Sequence, residues 1–276
     1  MQGDPLTHAA QPVQEWDDNV KKRRRAATAV AALVAGLLGA TASIAHAQQP
    51  HYYILIGGTC DGNAAVYNHA WLRGGIPRIV HYPAGGEGLC NGNTPMDQSV
   101  AQGYEEAKRV VRAAYTENPG ALFTVVGYSQ GAIVGNQVLN DIADDKLGVN
   151  KSRFSVKFYA DPMQPETGIS AKFPAGTRLP PPGTGYVSYG PGRTQFNGIQ
   201  FIRYCIQTDG ICDFTSPQAP GGYYAQHFCY PRARPTDRRS IMGDTIADGV
   251  YTNASEWLQK QDCHSAGPPP GDPFLW

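Results

Sequence analysis

Residues 122–143 of the 276-residue chain read LFTVVGYSQGAIVGNQVLNDIA, and this pattern is the strongest indication of the fold. Its first five residues are an apolar, β-rich run that predicts a buried strand, and a helical pattern extends from Ser129 to about Ala143. GxSxG at such a junction indicates a sharp turn, in which Gly127 and Gly131 leave room where side chains would collide with the strand and the helix. We therefore expect a strained backbone at Ser129 and an exposed hydroxyl, although a helix start with serine as a plain cap is the alternative.

Outward from this stretch, apolar β-rich runs alternate with helical periodicity. The runs, each of which predicts a buried strand, are 52–56, 78–82, 154–160 and 199–204. Between the second of them and residue 122 lies a predicted helix with one apolar face, formed by Val100, Tyr104, Ala107, Val111 and Ala114. Strands and helices in this order indicate right-handed crossovers and a mostly parallel central sheet flanked by helices, which is a three-layer α/β fold.

Two segments stand apart from this alternation. Residues 162–198 are dense in Pro and Gly and carry no clear periodicity, so they are a candidate substrate rim or lid. A final helix over about 239–260 is predicted to cover one face of the sheet.

The composition disfavours several classes of protein. Lys plus Arg and Asp plus Glu each number 23, which leaves no electrostatic footprint for nucleic acid. The 32 glycines and 22 prolines disfavour a helical bundle or coiled coil. No CxxC pair is present and the cysteines are not interleaved with histidines, so we expect no metal site.

The first 47 residues resemble a targeting segment. A basic cluster at 21–25 precedes an apolar run at 26–44 and an AHA sequence, which together predict a cleaved secretory signal peptide over residues 1–47. An uncleaved membrane anchor is the alternative. We expect the folded domain to span 48–263, followed by a flexible Pro-rich tail over 264–276.

Six cysteines follow this segment, and an even number in an exported chain indicates disulfides. They are Cys60, Cys90, Cys205, Cys212, Cys229 and Cys263, and 15 pairings are possible among six cysteines. We therefore expect a secreted or cell-envelope protein.

A serine hydroxyl is a poor nucleophile unless a base takes its proton, and that base is normally a histidine oriented by a carboxylate. In sheets of this kind the order along the chain is serine, acid, histidine. Only His227 and His264 follow Ser129. His264 lies in the Pro-rich tail, so His227 is the predicted base, with a surface histidine beside a disulfide as the alternative interpretation.

Asp209 is the predicted acid. It follows the run at 199–204, where a loop at the carboxyl end of the sheet is expected, and Cys205 and Cys212 bracket it. A bond between these two cysteines would hold the carboxylate rigidly towards His227. Asp161, which ends the strand before, is the second candidate, and Asp213, outside the bracket, is a weaker one.

Two backbone N–H groups are predicted to stabilise an oxyanion. One is that of Gln130, at the positive end of the helix after Ser129. The second should come from the loop after the first strand, where Thr59 follows two glycines. A plain turn with Thr59 as a helix cap is the alternative interpretation.

These residues resemble a known family. GYSQGA at 127–132, GGT at 57–59 and YPA at 82–84 are similar to the PE-PPE hydrolase domain of mycobacteria, which belongs with the cutinase-like α/β-hydrolases. CIQTDGIC at 205–212 and HFCY at 227–230 resemble the acid loop and the histidine region of cutinases. The resemblance extends over nearly all of residues 52–258, but Asn118-Pro119 replaces the Cys-Pro pair of many cutinases.

The resemblance implies an α/β-hydrolase fold and a secreted serine esterase without a cofactor, with Ser129, Asp209 and His227 as the triad. It also implies a Cys205–Cys212 bond, and we then expect Cys60–Cys90 and Cys229–Cys263 for the remaining pairs. The expected substrate is an ester or lipid, a cell-envelope glycolipid included, with no nucleic acid and no obligate protein partner. An acyltransferase and a catalytically silent envelope-binding protein are the alternative functions.

Overall fold

The computed structural model of the chain describes residues 49–68, 70–90, 93–234 and 239–263. The predicted signal peptide and the predicted tail, including His264, lie outside these residues. Within them, no helix combines the length and the apolar character needed to cross a bilayer.

A six-stranded sheet forms the centre of the structure, in the order β2-β1-β3-β4-β5-β6, and each neighbouring pair is parallel. The strands are β1 (His51–Ile56), β2 (Ile76–Ile79), β3 (Leu122–Tyr128), β4 (Phe154–Tyr159), β5 (Gln200–Ile206) and β6 (Ala254–Leu258). The predicted runs all form strands, with β2 beginning two residues earlier than expected. Because the strands are parallel, their carboxyl ends meet at one edge, and ligand sites of open α/β sheets lie there.

Helices and turns cover both faces of the sheet, which gives the three-layer α/β-hydrolase fold. The helices are α1 (Met96–Glu117), α2 (Gln130–Ala143), α3 (Ala219–Gln226) and α4 (Ile241–Thr245). On one face, α1 and α2 bury Val111 and Leu139 in a cluster with strand residues such as Phe123. A second cluster contains the alternate strand residues, among them Val126, and Ile241 of α4. Both faces of the central strands are therefore dry, which explains their near-continuous apolar sequences.

The predicted final helix over 239–260 is wrong. The helix there ends at Thr245, Gly249 and Asn253 adopt positive φ, and Ala254–Leu258 forms the edge strand β6 beside β5. Alanine, glutamate and leucine in this segment favour a helix, but the unpaired backbone groups of β5 are satisfied by a strand. Tertiary pairing therefore overrides local propensity.

The irregular segment 162–198 forms part of the core. It contains one short 3₁₀ turn and an isolated bridge between Arg178 and Val187, and it buries Leu179, Tyr186 and Phe196 in the cluster beneath α1 and α2. Its predicted function as a substrate rim is taken up with the cavity below.

Candidate active site

Ser129 lies between β3 and α2 with a backbone conformation that an L-residue rarely adopts. Its φ is 54° and its ψ is −120°. A Cβ on Gly127 would lie 2.6 Å from the carbonyl oxygen of Gly131, and a Cβ on Gly131 would lie 2.3 Å from that of Ile56. Both glycines are thus required by close backbone approach, and the turn lifts the Ser129 hydroxyl out of the sheet. The expected exposure of this hydroxyl is wrong, because Ser129 is only 8% exposed and lines a cavity.

The Ser129 hydroxyl contacts the His227 imidazole. Oγ lies 2.9 Å from Nε2, although the two residues are 98 positions apart. His227 begins a 3₁₀ turn directly after α3, and its ring stacks against Tyr128 and against Tyr223, with centroid distances of 5.3 and 5.0 Å. The Tyr128 hydroxyl also donates a 2.6 Å hydrogen bond to the His227 carbonyl oxygen. The ring and the backbone of His227 are therefore both held in place.

Asp209 lies on the other side of the imidazole. His227 Nδ1 is 3.0 Å from Oδ1 and 3.1 Å from Oδ2, and the carboxylate is fully buried. An ionised carboxylate only accepts hydrogen bonds, so Nδ1 carries the proton and Nε2 is left to accept from Ser129. The arrangement can move a proton from the serine hydroxyl to the imidazole.

The loop that carries Asp209, residues 205–212, is called the acid loop here, and two features hold it in place. The Cys205–Cys212 disulfide closes it at its base, and helix α3 packs directly on it. A Cβ on Gly222 of α3 would lie 1.6 Å from the carbonyl oxygen of Thr208, so only glycine permits this approach. Because Thr208 precedes the acid and α3 leads into His227, this contact helps to set the distance between the two side chains.

The other two candidate acids lie elsewhere. Asp161 is buried in an ion pair with Arg203, at 2.8 Å, and it also accepts hydrogen bonds from the side chain of Asn136. Asp213 accepts from the backbone N–H of Thr208 at 2.7 Å. The Asp161 carboxylate is therefore paired with Arg203, and the Asp213 carboxylate stabilises the backbone of the acid loop.

The predicted oxyanion donors belong to residues close to Ser129, one next to it in the chain and one lining the same cavity. Gln130 is the first residue of α2, where backbone N–H groups have no acceptor within the helix. Its side chain donates to the Gly85 carbonyl at 2.7 Å, which anchors that loop beside the turn. Thr59 lines the same cavity as Ser129 and His227. A Cβ on Gly58 would lie 2.9 Å from the Tyr128 ring, so the glycine before Thr59 permits close approach.

Ser129 opens into a cavity of about 380 Å³. Its walls are largely apolar and include Val66, Leu89, Phe228 and the Cys60–Cys90 disulfide. Within the described part of the chain, none of the lining residues comes from 162–198. The expectation that this segment forms the rim of the site is therefore wrong for this cavity.

The structure pairs all six cysteines. The bonds join Cys205 to Cys212, the pair that the family resemblance implied, and Cys60 to Cys90 and Cys229 to Cys263, the pairs expected for the remaining cysteines. Cys60 is exposed and Cys90 is half-buried, whereas the other four cysteines are buried.

Comparison with known proteins agrees with the resemblance. The profile of the PE-PPE domain matches residues 74–227, which is more than half of the chain and includes Ser129, Asp209 and His227. The chain belongs to the PE-PPE domain family. Over 156 residues it is 26% identical to an uncharacterized PPE family protein of Mycobacterium tuberculosis, PPE28. That match covers 53% of this chain and 22% of the mycobacterial protein, so the chain spans about a fifth of its length.

Solved structures similar to this PE-PPE domain protein include the following three. Lysin B from Mycobacteriophage D29 is 25% identical, with 48% of this chain and 54% of that chain covered and a TM-score of 0.36. A cutinase-like protein from Cryptococcus sp. is 17% identical, with coverages of 72% and 91% and a TM-score of 0.45. The catalytic core of acetyl xylan esterase from Trichoderma reesei is 22% identical, with coverages of 63% and 91% and a TM-score of 0.41.

Sequence reasoning missed the tyrosines around His227 in this PE-PPE domain. Tyr128 stands inside the GYSQG motif and Tyr230 inside HFCY, so their positions were visible but their roles were not. Tyr223 precedes His227 by four positions, a spacing at which side chains meet on a helix, but the sequence patterns predicted no helix over 219–226. Burial raises the pKa of Tyr128 and of Tyr230 well above the ordinary value, and it also raises that of Tyr223. These phenols therefore stay protonated at neutral pH.

Among the residues that the structure describes, no three His, Cys, Asp or Glu side chains form a group that could hold a metal ion.

Proposed function

We propose that this protein is a secreted serine esterase or lipase that hydrolyses carboxylic esters through Ser129, His227 and Asp209. The observation that carries the proposal is the continuous chain of contacts from Ser129 Oγ to His227 Nε2, at 2.9 Å, and from Nδ1 to the Asp209 carboxylate, at 3.0 Å. A nucleophile, a base and an orienting acid in this arrangement are what acyl transfer requires.

The proposed reaction has two halves. Ser129 Oγ attacks the ester carbonyl carbon while its proton passes to His227 Nε2, and the N–H groups of Gln130 and Thr59 stabilise the oxyanion. Collapse expels the alcohol, which takes the proton from His227 and leaves an acyl-enzyme. Water then attacks the acyl carbon, gives its proton to the imidazole, and releases the acid as the proton returns to Ser129.

The cavity supports an acyl or lipid substrate. Its volume of about 380 Å³ lies in the range of small-molecule sites, and its walls are mainly apolar. An acyl chain fits such walls better than a sugar ring does, since each buried methylene contributes about 0.8 kcal/mol. We therefore expect lipid or cell-envelope esters, glycolipids included, as the substrate class.

The proposal includes export and a domain that begins after residue 47. Three disulfides suit an oxidising compartment, and the segment 1–47 would supply the signal that takes the chain there. Residues 48–263 would then form the enzyme and 264–276 its tail.

The test compares the wild-type protein with Ser129→Ala and Ser152→Ala. Ser152 is an exposed serine before β4, at the opposite edge of the sheet, so it is a matched control. We expect a fluorophosphonate probe to label wild type and Ser152→Ala on Ser129, and Ser129→Ala to lose about 10⁴-fold or more of its p-nitrophenyl ester hydrolysis. Melting temperatures should agree within a few degrees, because an elbow hydroxyl contributes little packing.

Two outcomes would contradict the proposal. An unlabelled wild-type Ser129 would leave the envelope-binding alternative, and retained hydrolysis in Ser129→Ala would remove the triad. Incubation with a lipid ester and a glycan acceptor addresses the remaining rival, because acyl transfer exceeding hydrolysis would make the protein an acyltransferase. A chain-length series of p-nitrophenyl esters would define the acyl group.

A further inference from the structure

Tyr230 contacts the carboxylate of the candidate acid. Its hydroxyl accepts a hydrogen bond from the backbone N–H of Ile206, at 2.8 Å, and lies 3.0 Å from Asp209 Oδ2. The amide can only donate, so the phenolic proton is available to the carboxylate, which can only accept. The direction of both hydrogen bonds is therefore determined by chemistry alone.

The carboxylate of Asp209 is held by donors on both oxygens. Oδ1 accepts from the backbone N–H of Ile211 at 3.0 Å, and Oδ2 accepts from Tyr230. His227 Nδ1 lies nearly equidistant from the two oxygens. Removing the Tyr230 donor would leave one oxygen without its fixed partner, and the carboxyl group would be free to rotate about its χ2 bond.

Tyr230 is itself rigid and out of reach of substrate. It is fully buried, its ring packs against Tyr128 and Tyr159 with centroid distances of 5.9 and 6.3 Å, and its carbonyl accepts from the Met242 N–H. It also follows Cys229, which is bonded to Cys263. A change at its hydroxyl should therefore alter the acid without altering the cavity.

We propose that Tyr230 is a positioning residue, which fixes and stabilises the ionised carboxylate of Asp209 so that Asp209 orients His227. This inference rests on the proposed esterase function. The hydroxyl acts through Asp209 and touches neither substrate nor Ser129. Burial and the nearby Asp209 charge raise the pKa of Tyr230 well above its usual value, so its hydroxyl remains a donor throughout the working pH range.

The effect on the base follows from the geometry of the carboxylate. Loss of the Tyr230 donor should weaken the contact between Asp209 and the imidazole, because a carboxylate that can rotate no longer keeps an oxygen 3.0 Å from Nδ1. The other titratable or charged groups near the pair, which the substitution leaves in place, are Asp61, Tyr128, Asp213, Tyr223 and Arg232.

The experiment compares Tyr230→Phe with Tyr159→Phe. Tyr159 is a matched control, because it is buried beside Tyr230 and loses one hydroxyl contact, to Thr245, that does not involve the triad. For Tyr230→Phe we expect kcat/KM to fall about tenfold to a hundredfold, with the loss in kcat and little change in KM. The His227 Nδ1 proton resonance should move upfield and broaden in Tyr230→Phe as its hydrogen bond to Asp209 weakens, and that of Tyr159→Phe should stay in place.

Several results would overturn the inference. These are an Nδ1 proton resonance that stays in place in Tyr230→Phe, an equal change in both variants, or a loss confined to KM. If Tyr230→Phe does not fold, proton NMR of the wild-type protein decides instead. A slowly exchanging Tyr230 hydroxyl proton close to the His227 Nδ1 proton is expected, and its absence would refute the contact. A wild-type protein without esterase activity would instead count against the proposed function.

Discussion

Replacement of Gly222 by alanine should separate the predicted acid from the predicted base. The new Cβ would lie 1.6 Å from the Thr208 carbonyl oxygen, whereas the shortest ordinary separation of a carbon and an oxygen atom is about 3.3 Å. Helix α3 or the acid loop must therefore move by about 1.7 Å. If even 1 Å of this movement falls between His227 and Asp209, their 3.0 Å contact becomes too long for a hydrogen bond.

The expected losses follow from this displacement. Overpacking of this kind costs about 1–3 kcal/mol, and each kcal/mol lowers the melting temperature of a domain of this size by about 2–4 °C. A misplacement of about 1 Å lowers kcat/KM by about 10²-fold. The assays are thermal unfolding with the disulfides intact, p-nitrophenyl ester hydrolysis and the rate of fluorophosphonate labelling.

Gly221, the preceding residue of the same helix, supplies the control. A Cβ there would meet nothing within 4 Å, so Gly221→Ala should be neutral or stabilising by up to about 1 kcal/mol, with full activity. Equal stability and activity in the two variants would refute the reasoning. So would a Gly222→Ala protein that loses stability but keeps its labelling rate, because the displacement would then not reach the site.

Two further predictions concern the turn at Ser129 and the disulfide beside it. Ser129→Gly should be more stable than Ser129→Ala by about 1 kcal/mol in denaturant unfolding, since about 1–3 kcal/mol of strain is relieved and about 0.5–1 kcal/mol of chain entropy is lost. The order should reverse for the same pair of variants at Ser152, which lacks a positive φ, and the same order at both positions would contradict the prediction. The double variant Cys60→Ala/Cys90→Ala should be less stable by about 3–4 kcal/mol, because the bond closes a loop of 30 residues, and should lose ester hydrolysis as the cavity wall loosens. Unchanged melting and unchanged rates would show that this bond supports neither.

Local patterns in the sequence were sufficient for five of the six strands and for the turn. The alternation of apolar runs with helical periodicity predicted β1 to β5 and both long helices, because a strand or helix is encoded by residues that are near neighbours in the chain. The spacing of Gly127 and Gly131 predicted the strained turn, because the steric conflict they avoid is local. The helix predicted over 239–260 was wrong for the opposite reason. The second half of that segment forms a strand because β5 offers a free edge, and β5 is distant in the chain.

The sequence predicted the three residues of the candidate site but not the tyrosines that hold them in place. Chain order pointed to His227, and a loop position between two cysteines pointed to Asp209. The structure brings His227 to Ser129 and Asp209 to His227. The hydroxyl of Tyr230 and the ring of Tyr223 complete the arrangement, and no spacing rule links either residue to the motif.

The order of the elements, the sharp turn and the residue types able to activate a hydroxyl are properties of short stretches, and the amino-acid sequence by itself determined them. The meeting of Ser129 with a histidine 98 positions later was decided only by the tertiary structure. Parallel strands bring their carboxyl ends to one edge, and glycine-mediated packing of α3 on the acid loop then sets distances of about 3 Å between side chains. Distances of that kind depend on contacts between distant segments, which local propensity does not encode.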